Sequence, residues 1–380
     1  MRLSDVISKE ACNKGRQFEL DLLKFILIIR LAPVHVFIDS AQPGALDVLG
    51  IPYFYDSVLG GVIGPTRFMI LMGVGLGYSR HGSAKEVFRR GIKIGIIGFL
   101  LNVFRFLIPS LVGFGITGDA ERYLEPLPFL FFGNDILQFA SLAMMLMALL
   151  LHFKLTPEKI FGVSLLMSLA GNFVRSVDFH SIPLNIIFGH LIGVEDKSEE
   201  TFIYSDFPLI IWFLFYAFGY FLGKYYTHLK DKNKFYAIVS PICIIVSVVF
   251  IIWEIQGGFG MMMGEGVNVF YHMTTPEAFI CIMAFLGLLG IYNFVSPYIP
   301  EKLHKPIEAI SRNVNTIYCI HWVLVWWTVD LAVYCIKGDT YLKYSYAFLI
   351  GYAITVVSII LAHFWSKFKA ERKAAYEKKK

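Results

Sequence analysis

The sequence predicts an all-α, polytopic integral membrane protein with about ten transmembrane helices and both termini in the cytoplasm. Hydrophobic residues make up 56% of the 380 residues and charged residues only 17%, whereas a soluble domain is about half apolar and about a quarter charged. The mean hydropathy is +0.61. Apolar stretches of membrane length recur along the chain, and basic residues concentrate in alternate connecting segments.

Ten apolar stretches are predicted to cross the bilayer. They are residues 19–40, 61–79, 92–112, 134–151, 160–175, 207–223, 235–252, 276–295, 315–336 and 345–366. The termini and loops assigned to the inside are 1–18, 80–93, 152–159, 224–234, 296–314 and 367–380. Of the 34 Lys and Arg residues, 25 fall in these inside segments and six in the outer ones. Because basic loops stay in the cytoplasm, this asymmetry predicts that both termini lie there.

Composition also excludes several classes of protein. The net charge of +5 comes from short loops between apolar spans, so we expect no nucleic-acid partner. The five cysteines are scattered without a CxxC pair, which predicts neither a metal site nor a disulfide framework. We find no internal repeat or linker, so residues 1–380 are predicted to form a single transmembrane domain with short cytoplasmic tails, 1–18 and 367–380.

The first span carries charged residues that are costly to place in hydrocarbon. Lys24 and His35 are 11 residues apart, about three helical turns, so both project from one face roughly 16 Å apart along the axis. Asp21 precedes Lys24 by three residues and Asp39 follows His35 by four, on the same face. This polar face predicts a cation near one membrane surface and an imidazole near the other.

His35 is the candidate general base. Pro33 removes an amide donor just before it, which favours a kink that makes room for a ligand. If the helix continues to Asp39, that carboxylate accepts a hydrogen bond from one imidazole nitrogen and leaves the other as the base. The alternative is that His35 is a buried histidine satisfied by a neighbour.

A set of polar residues lies near the outer ends of the spans. We expect these residues to bind the acceptor substrate or to stabilise an oxyanion. Its members are Asn102, Arg105, Asp135, Gln138 and Arg175. The alternative is that these residues pair with one another as structural links between helices.

A second set, on the inner half, suits the phosphates of an anionic cofactor, because Arg and Lys bind phosphate well. It comprises Lys24, Arg89, Arg90, Arg312 and His321. The alternative for the loop cations is that they only orient the protein in the membrane. The nearby GVGLG segment lacks the context of a phosphate loop, so its small residues predict close helix packing.

Two stretches resemble the membrane acyltransferase-3 family, and three more resemble a related branch. In LDLLKFILIIRLAPVH, the residues Asp21, Lys24 and His35 match its opening Asp, cation and His pattern. SRNVNTIYCIHW is similar to its late span, which ends in Tyr-x-x-His. FMILMGVGLGYSR, LLNVFRFLIP and NDILQFASLAMMLMALL resemble the heparan-alpha-glucosaminide N-acetyltransferase branch of the same transmembrane acyltransferase superfamily.

The resemblance implies transfer of an acyl group, usually acetyl, from cytosolic acyl-CoA to an extracytoplasmic sugar or glycolipid. It implies His35 as base or acyl relay and Lys24 on the CoA side, where the family more often has Arg. The heparan branch has Asn at the position of His35, so the chemistry is expected to follow the acyltransferase-3 pattern. We expect acetyl-CoA as donor, no metal, residence in the lipid bilayer of a bacterial plasma membrane, and a possible homodimer.

Two other classes remain open from the sequence. A transporter or exporter of a small solute or glycan precursor would use the same polar face as a path through the membrane. A sensor or scaffold would have kept the fold and lost the chemistry. Direct acyl transfer and a covalent acyl-histidine intermediate both remain compatible with the sequence.

Overall fold

The computed structural model describes residues 6–42, 64–174, 177–193, 206–256 and 272–378. These ranges consist of helices, their connections and one isolated antiparallel bridge between Ile7 and Leu229. The predicted all-α class is therefore confirmed for the part of the chain that is described.

The helices follow one another along the chain with short connections. They are α1 (Phe18–Asp39), α2 (Pro65–Tyr78), α3 (Ala84–Thr117), α4 (Ala120–Tyr123), α5 (Leu127–Phe132), α6 (Ile136–His152), α7 (Pro157–Val174), α8 (Ile182–Ile192), α9 (Leu209–Tyr226), α10 (Lys232–Ile255), α11 (Thr275–Val295), α12 (Glu301–Arg312), α13 (Val314–Lys337) and α14 (Tyr344–Glu377).

Six of the described helices are long and apolar enough to cross a membrane: α3, α9, α10, α11, α13 and α14. The chain is thus a multi-pass membrane protein. Helix α1 also has membrane length, at 22 residues, but it carries five charged side chains and is not among the six. The count of about ten spans and the cytoplasmic position of both termini stay predictions.

Helix α3 begins earlier than predicted. Residues 80–93 were expected to form an inside loop, but α3 starts at Ala84 because Ser83 and Glu86 form a capping box. Arg89 and Arg90 therefore lie on a helix and not in a loop. Helix α12 likewise occupies the predicted loop 296–314.

The chain divides into two compact units, each assembled from three separate stretches. The first unit comprises Met1–Arg16, Gly60–Val103 and Glu125–Phe294. The second unit comprises Gln17–Leu59, Phe104–Leu124 and Val295–Lys380. The prediction of a single domain stays a prediction.

The first unit contains a close contact between α2 and α9. A Cβ added at Gly73 would overlap the carbonyl oxygen of Tyr216, and one at Gly77 would lie 2.8 Å from the Cα of Gly223. Only glycine permits backbones to approach this closely. The prediction that the small residues of GVGLG serve helix packing is therefore confirmed.

The second unit is built around α1, which packs against α12, α13 and α14. Near its start, Asp21 accepts a hydrogen bond of 2.6 Å from the Ser311 hydroxyl of α12, and both residues are buried. Further along, Pro33 lies directly against Gly351 of α14, where a Cβ would overlap the Pro33 backbone. These contacts fix the part of α1 that carries His35.

Substitution of Gly73 provides a test of the α2–α9 contact. We expect Gly73→Ala to destabilise the detergent-solubilised protein by about 1–3 kcal/mol, because the new methyl group overlaps the backbone of α9. The matched control is Gly75→Ala on the same helix, where nothing lies within 4 Å of the added Cβ. Its melting temperature should stay constant or rise, because Ala favours helix over Gly. Equal melting temperatures for the two variants would contradict the contact.

Candidate active site

His35 lies on the last two turns of α1, in the second unit. The helix continues past Pro33 to Asp39, so His35 and Asp39 are one turn apart on the same helix. His35 is half-buried. The helix is thus continuous between the two residues, as their predicted pairing requires. Their predicted catalytic roles stay predictions.

Two aromatic side chains of α13 surround the His35 ring. The ring centroid of His321 lies 5.7 Å from that of His35, and the indole of Trp322 lies 4.0 Å from it. His321 was expected on the inner half, apart from His35, and the expected separation of the two side chains is wrong. It was wrong because α1 and α13 were each positioned by their own span ends, without the contact that aligns them. The position of both residues across the membrane stays a prediction.

His321 is the more deeply buried of the two histidines, with 1% of its surface exposed. Among the described residues, neither of its ring nitrogens makes a hydrogen bond of normal geometry, although the carbonyl oxygens of Ile317 and Tyr318 interact with the ring. The indole nitrogen of Trp322 is also buried without a partner there. A buried polar atom without a partner is costly, and an enzyme retains such atoms where a ligand supplies the missing partner.

Arg105 joins this cluster from α3. Its buried guanidinium stacks on Phe106, 3.9 Å from the ring centroid, and on Trp322, 4.5 Å from that centroid. It also interacts electrostatically with Asp39 and with His321. A cation is therefore held beside the two imidazoles, in a position suited to a developing negative charge.

Arg105 owes its position to a departure from α-helical geometry. Residues Val103–Leu107 of α3 and Trp327–Val333 of α13 are π-helical, and the Trp327 indole nitrogen donates to the Phe104 carbonyl oxygen at 2.9 Å. One charged residue lies in each segment, Arg105 in the first and Asp330 in the second. Short π-helical insertions occur frequently at functional sites.

Asp330 was not identified from the sequence, although a carboxylate inside a span is itself a functional signal. Arg122 lies 3.7 Å from it and stacks on the Tyr334 ring at 3.8 Å. The Tyr334 hydroxyl donates to Asp119 at 2.9 Å. The backbone N–H of Arg122 and this hydroxyl hold the pKa of Asp119 below its usual value. Asp330 also interacts with Asp39, so this network reaches the end of α1.

The other predicted acceptor residues are in the first unit. Asn102 is buried and donates to the Phe131 carbonyl at 2.8 Å. Gln138 is buried, and neither atom of its amide has a partner among the described residues. Asp135 caps α6 by accepting from the Ile136 N–H at 2.6 Å. Arg175 lies outside the described residues.

The predicted cofactor residues are divided between the two units. In the second unit, Lys24 is half-buried on α1, and the exposed Arg312 pairs with Glu308 at 2.8 Å. In the first unit, Arg89 is exposed, and Arg90 donates to the His81 carbonyl at 2.9 Å. Their predicted role toward CoA stays a prediction.

Comparison with known proteins gives one match. No curated protein and no solved structure matches the chain. The relation to the heparan branch therefore stays a resemblance. The model of one family, described as an acyltransferase domain, matches residues 17–368, which include every element of the cluster around His35. Because that match covers nearly the whole chain, the protein belongs to the acyltransferase-3 family.

Proposed function

We propose that this acyltransferase transfers an acetyl or similar acyl group from cytosolic acyl-CoA to a hydroxyl or amine of an extracytoplasmic glycan or glycolipid. Family membership supports the acyltransferase class. The donor, the acceptor and a place in a bacterial plasma membrane belong to the proposal. The observation that carries it is the cluster of His35, His321, Trp322 and Arg105 in the second unit.

His35 acts as the general base. It removes the proton from the acceptor hydroxyl or amine as the acceptor oxygen or nitrogen forms a bond to the acyl carbon. The C–S bond of the thioester then breaks, and the proton on His35 passes to the CoA sulfur. Asp39, one turn further on, stabilises the imidazolium between these two steps.

Arg105 and Trp322 stabilise the negative charge on the acyl oxygen. The guanidinium is buried and stacked, so its donors are held in place before the reaction. The indole N–H of Trp322 is an additional donor that has no partner among the described residues. Fixed donors in a site without water are worth more than the same donors in solution.

The basic residues bind the CoA phosphates from the cytoplasmic side. Lys24 is the nearest of them to His35 along α1, 11 residues away, so we assign it to the CoA moiety. Arg89, Arg90 and Arg312 are assigned to the entry of the nucleotide. We assign the recognition of the acceptor to Asn102, Gln138, Asp135 and Arg175. One carboxylate oxygen of Asp135 already accepts the hydrogen bond that caps α6, which limits what this side chain can offer the acceptor. A homodimer and the identity of the sugar remain part of the proposal.

The first test is acyl transfer by inside-out membrane vesicles given acetyl-labelled CoA. We expect His35→Ala to lower labelling of glycan or lipid by roughly 10²–10⁴-fold, because the general base is lost, while CoA still raises the melting temperature. His363→Ala, an exposed histidine on α14, is the control and should keep wild-type activity. Lys24→Ala should weaken the CoA-induced stabilisation. A wild-type protein that neither binds nor consumes acyl-CoA with any acceptor would overturn the proposal. That result would favour the alternative function, transport of a small solute or glycan precursor.

Arg105→Lys tests the planar cation. Lys keeps the charge but lacks the planar guanidinium that stacks on the aromatic rings and presents several fixed N–H donors. We therefore expect kcat to fall by roughly 10²-fold. The control is Arg372→Lys, whose guanidinium stacks on Phe368 at 5.7 Å in the exposed end of α14. Activity of Arg105→Lys equal to that of this control would remove Arg105 from the reaction.

Gln138→Leu tests whether the buried amide of Gln138 binds the acceptor although it lowers the stability of the fold. Because the amide has no partner among the described residues, an apolar side chain of similar size should leave the melting temperature unchanged or raised. The KM for the acceptor should rise, while the KM for acyl-CoA stays constant. A lower melting temperature with unchanged KM for the acceptor would assign Gln138 to folding alone.

A further inference from the structure

Within the cluster around His35, the least satisfied polar group is His321. Its side chain is 1% exposed, and neither ring nitrogen makes a hydrogen bond of normal geometry with the described residues. The carbonyl oxygens of Ile317 and Tyr318, one turn earlier on α13, interact with the ring. A carbonyl oxygen can only accept a hydrogen bond, so these contacts leave the ring a nitrogen lone pair for reaction.

The surroundings of His321 favour reaction over packing. The ring is 5.3 Å from Trp322 and 5.3 Å from Tyr318, measured between ring centroids, and Arg105 interacts with it electrostatically. Burying an unpaired charge is costly, so the ring is neutral and offers a nitrogen lone pair. Beside it are the indole N–H of Trp322 and the cation of Arg105. Both can stabilise the negative charge that develops on the oxygen of a thioester carbonyl under attack.

We propose that His321 carries the acyl group as a covalent acyl-imidazole between the two substrates, and that His35 serves only the second half of the reaction. This inference rests on the proposed function. It assigns to the two neighbouring histidines separate tasks that a single general base would otherwise perform.

In the first half-reaction, a ring nitrogen of His321 forms a bond to the acyl carbon of the thioester. The C–S bond breaks, and the electron pair leaves with the CoA sulfur. The acyl-imidazolium then gives the proton of its other nitrogen to this thiolate. The products are neutral acyl-His321 and free CoA, and no other reactant is consumed.

In the second half-reaction, His35 removes the proton of the acceptor hydroxyl or amine. The acceptor atom forms a bond to the acyl carbon, the bond from that carbon to the His321 nitrogen breaks, and His35 returns the proton to this nitrogen. The 5.7 Å between the ring centroids puts both groups within reach of one acyl carbon.

Burial explains why His321 and not His35 is the carrier. Acyl-imidazoles hydrolyse readily, so the carrier must be shielded from water until the acceptor arrives. His321 is buried, whereas His35 is only half-buried. The more exposed ring is suited to meet an acceptor from outside, and the buried ring to hold the reactive intermediate.

The test is exchange of labelled CoA into unlabelled acetyl-CoA in the absence of any acceptor, using the full-length protein in nanodiscs. A covalent carrier permits this exchange because the first half-reaction is reversible, whereas direct transfer does not. We expect wild type and His363→Gln to exchange. His35→Gln should still exchange but lose transfer to the acceptor by at least about 10²-fold. His321→Gln should lose both and keep its stabilisation by CoA, which shows that it is folded.

A second measurement traps the intermediate. When His35→Gln with acetyl-CoA is quenched directly into hydroxylamine, it should release about one acetohydroxamate per protein, because hydroxylamine captures an acyl-imidazole before water does, whereas His321→Gln should release none. Transfer by the wild type without exchange, exchange that persists in His321→Gln, or acetohydroxamate release by His321→Gln would overturn the assignment of His321. Absence of both transfer and exchange in the wild type would instead overturn the proposed function, and this inference with it.

Discussion

Charged side chains within helices of membrane length must find their partners inside the protein, because hydrocarbon offers none. This constraint governs the second unit. Asp21, near the start of α1, is satisfied by Ser311, and Asp39, at its end, is attracted by the cation of Arg105, which offsets the like charge of Asp330. With both ends of α1 fixed in this way, His35 is placed against α13.

The apolar contacts serve the same placement. Lipid chains are as apolar as leucine, so helices in a membrane gain from close packing more than from burial. In the second unit, Gly351 brings the backbone of α14 against Pro33, two residues before His35. Ala32, Val36 and Phe37 on the same part of α1 belong to one buried core with residues of α13 and α14. His35 thus lies on a closely packed helix, as its proposed role requires.

The sequence was sufficient to predict the helical class and the packing role of the α2 glycines, whereas the catalytic role of His35 stays a prediction. Periodicity and residue type determine the first two features locally. The sequence was insufficient for the contact between His321 and His35 and for Asp330, because both depend on how separate helices align and on π-helical turns that no residue pattern marks. The sequence does contain a signal for the start of α3, because Ser83 followed three residues later by Glu86 is the pattern of a capping box. The basic residues around it instead favoured a loop.

The unsatisfied polar atoms indicate where stability has been given up. Some polar groups of the described chain form networks, such as the buried Ser168 and Thr275 with the half-buried Asn172, whose side chains bond one another at 2.9–3.1 Å. Others, among them atoms of Gln138, Tyr216 and Ser358, are buried without a partner among the described residues. A buried donor or acceptor left without a partner costs about 1–3 kcal/mol. His321 and Trp322 carry this cost side by side, next to a stacked arginine. If these residues served only packing, apolar replacements would make the protein more stable, so their burial in this form favours the role proposed for them in the reaction.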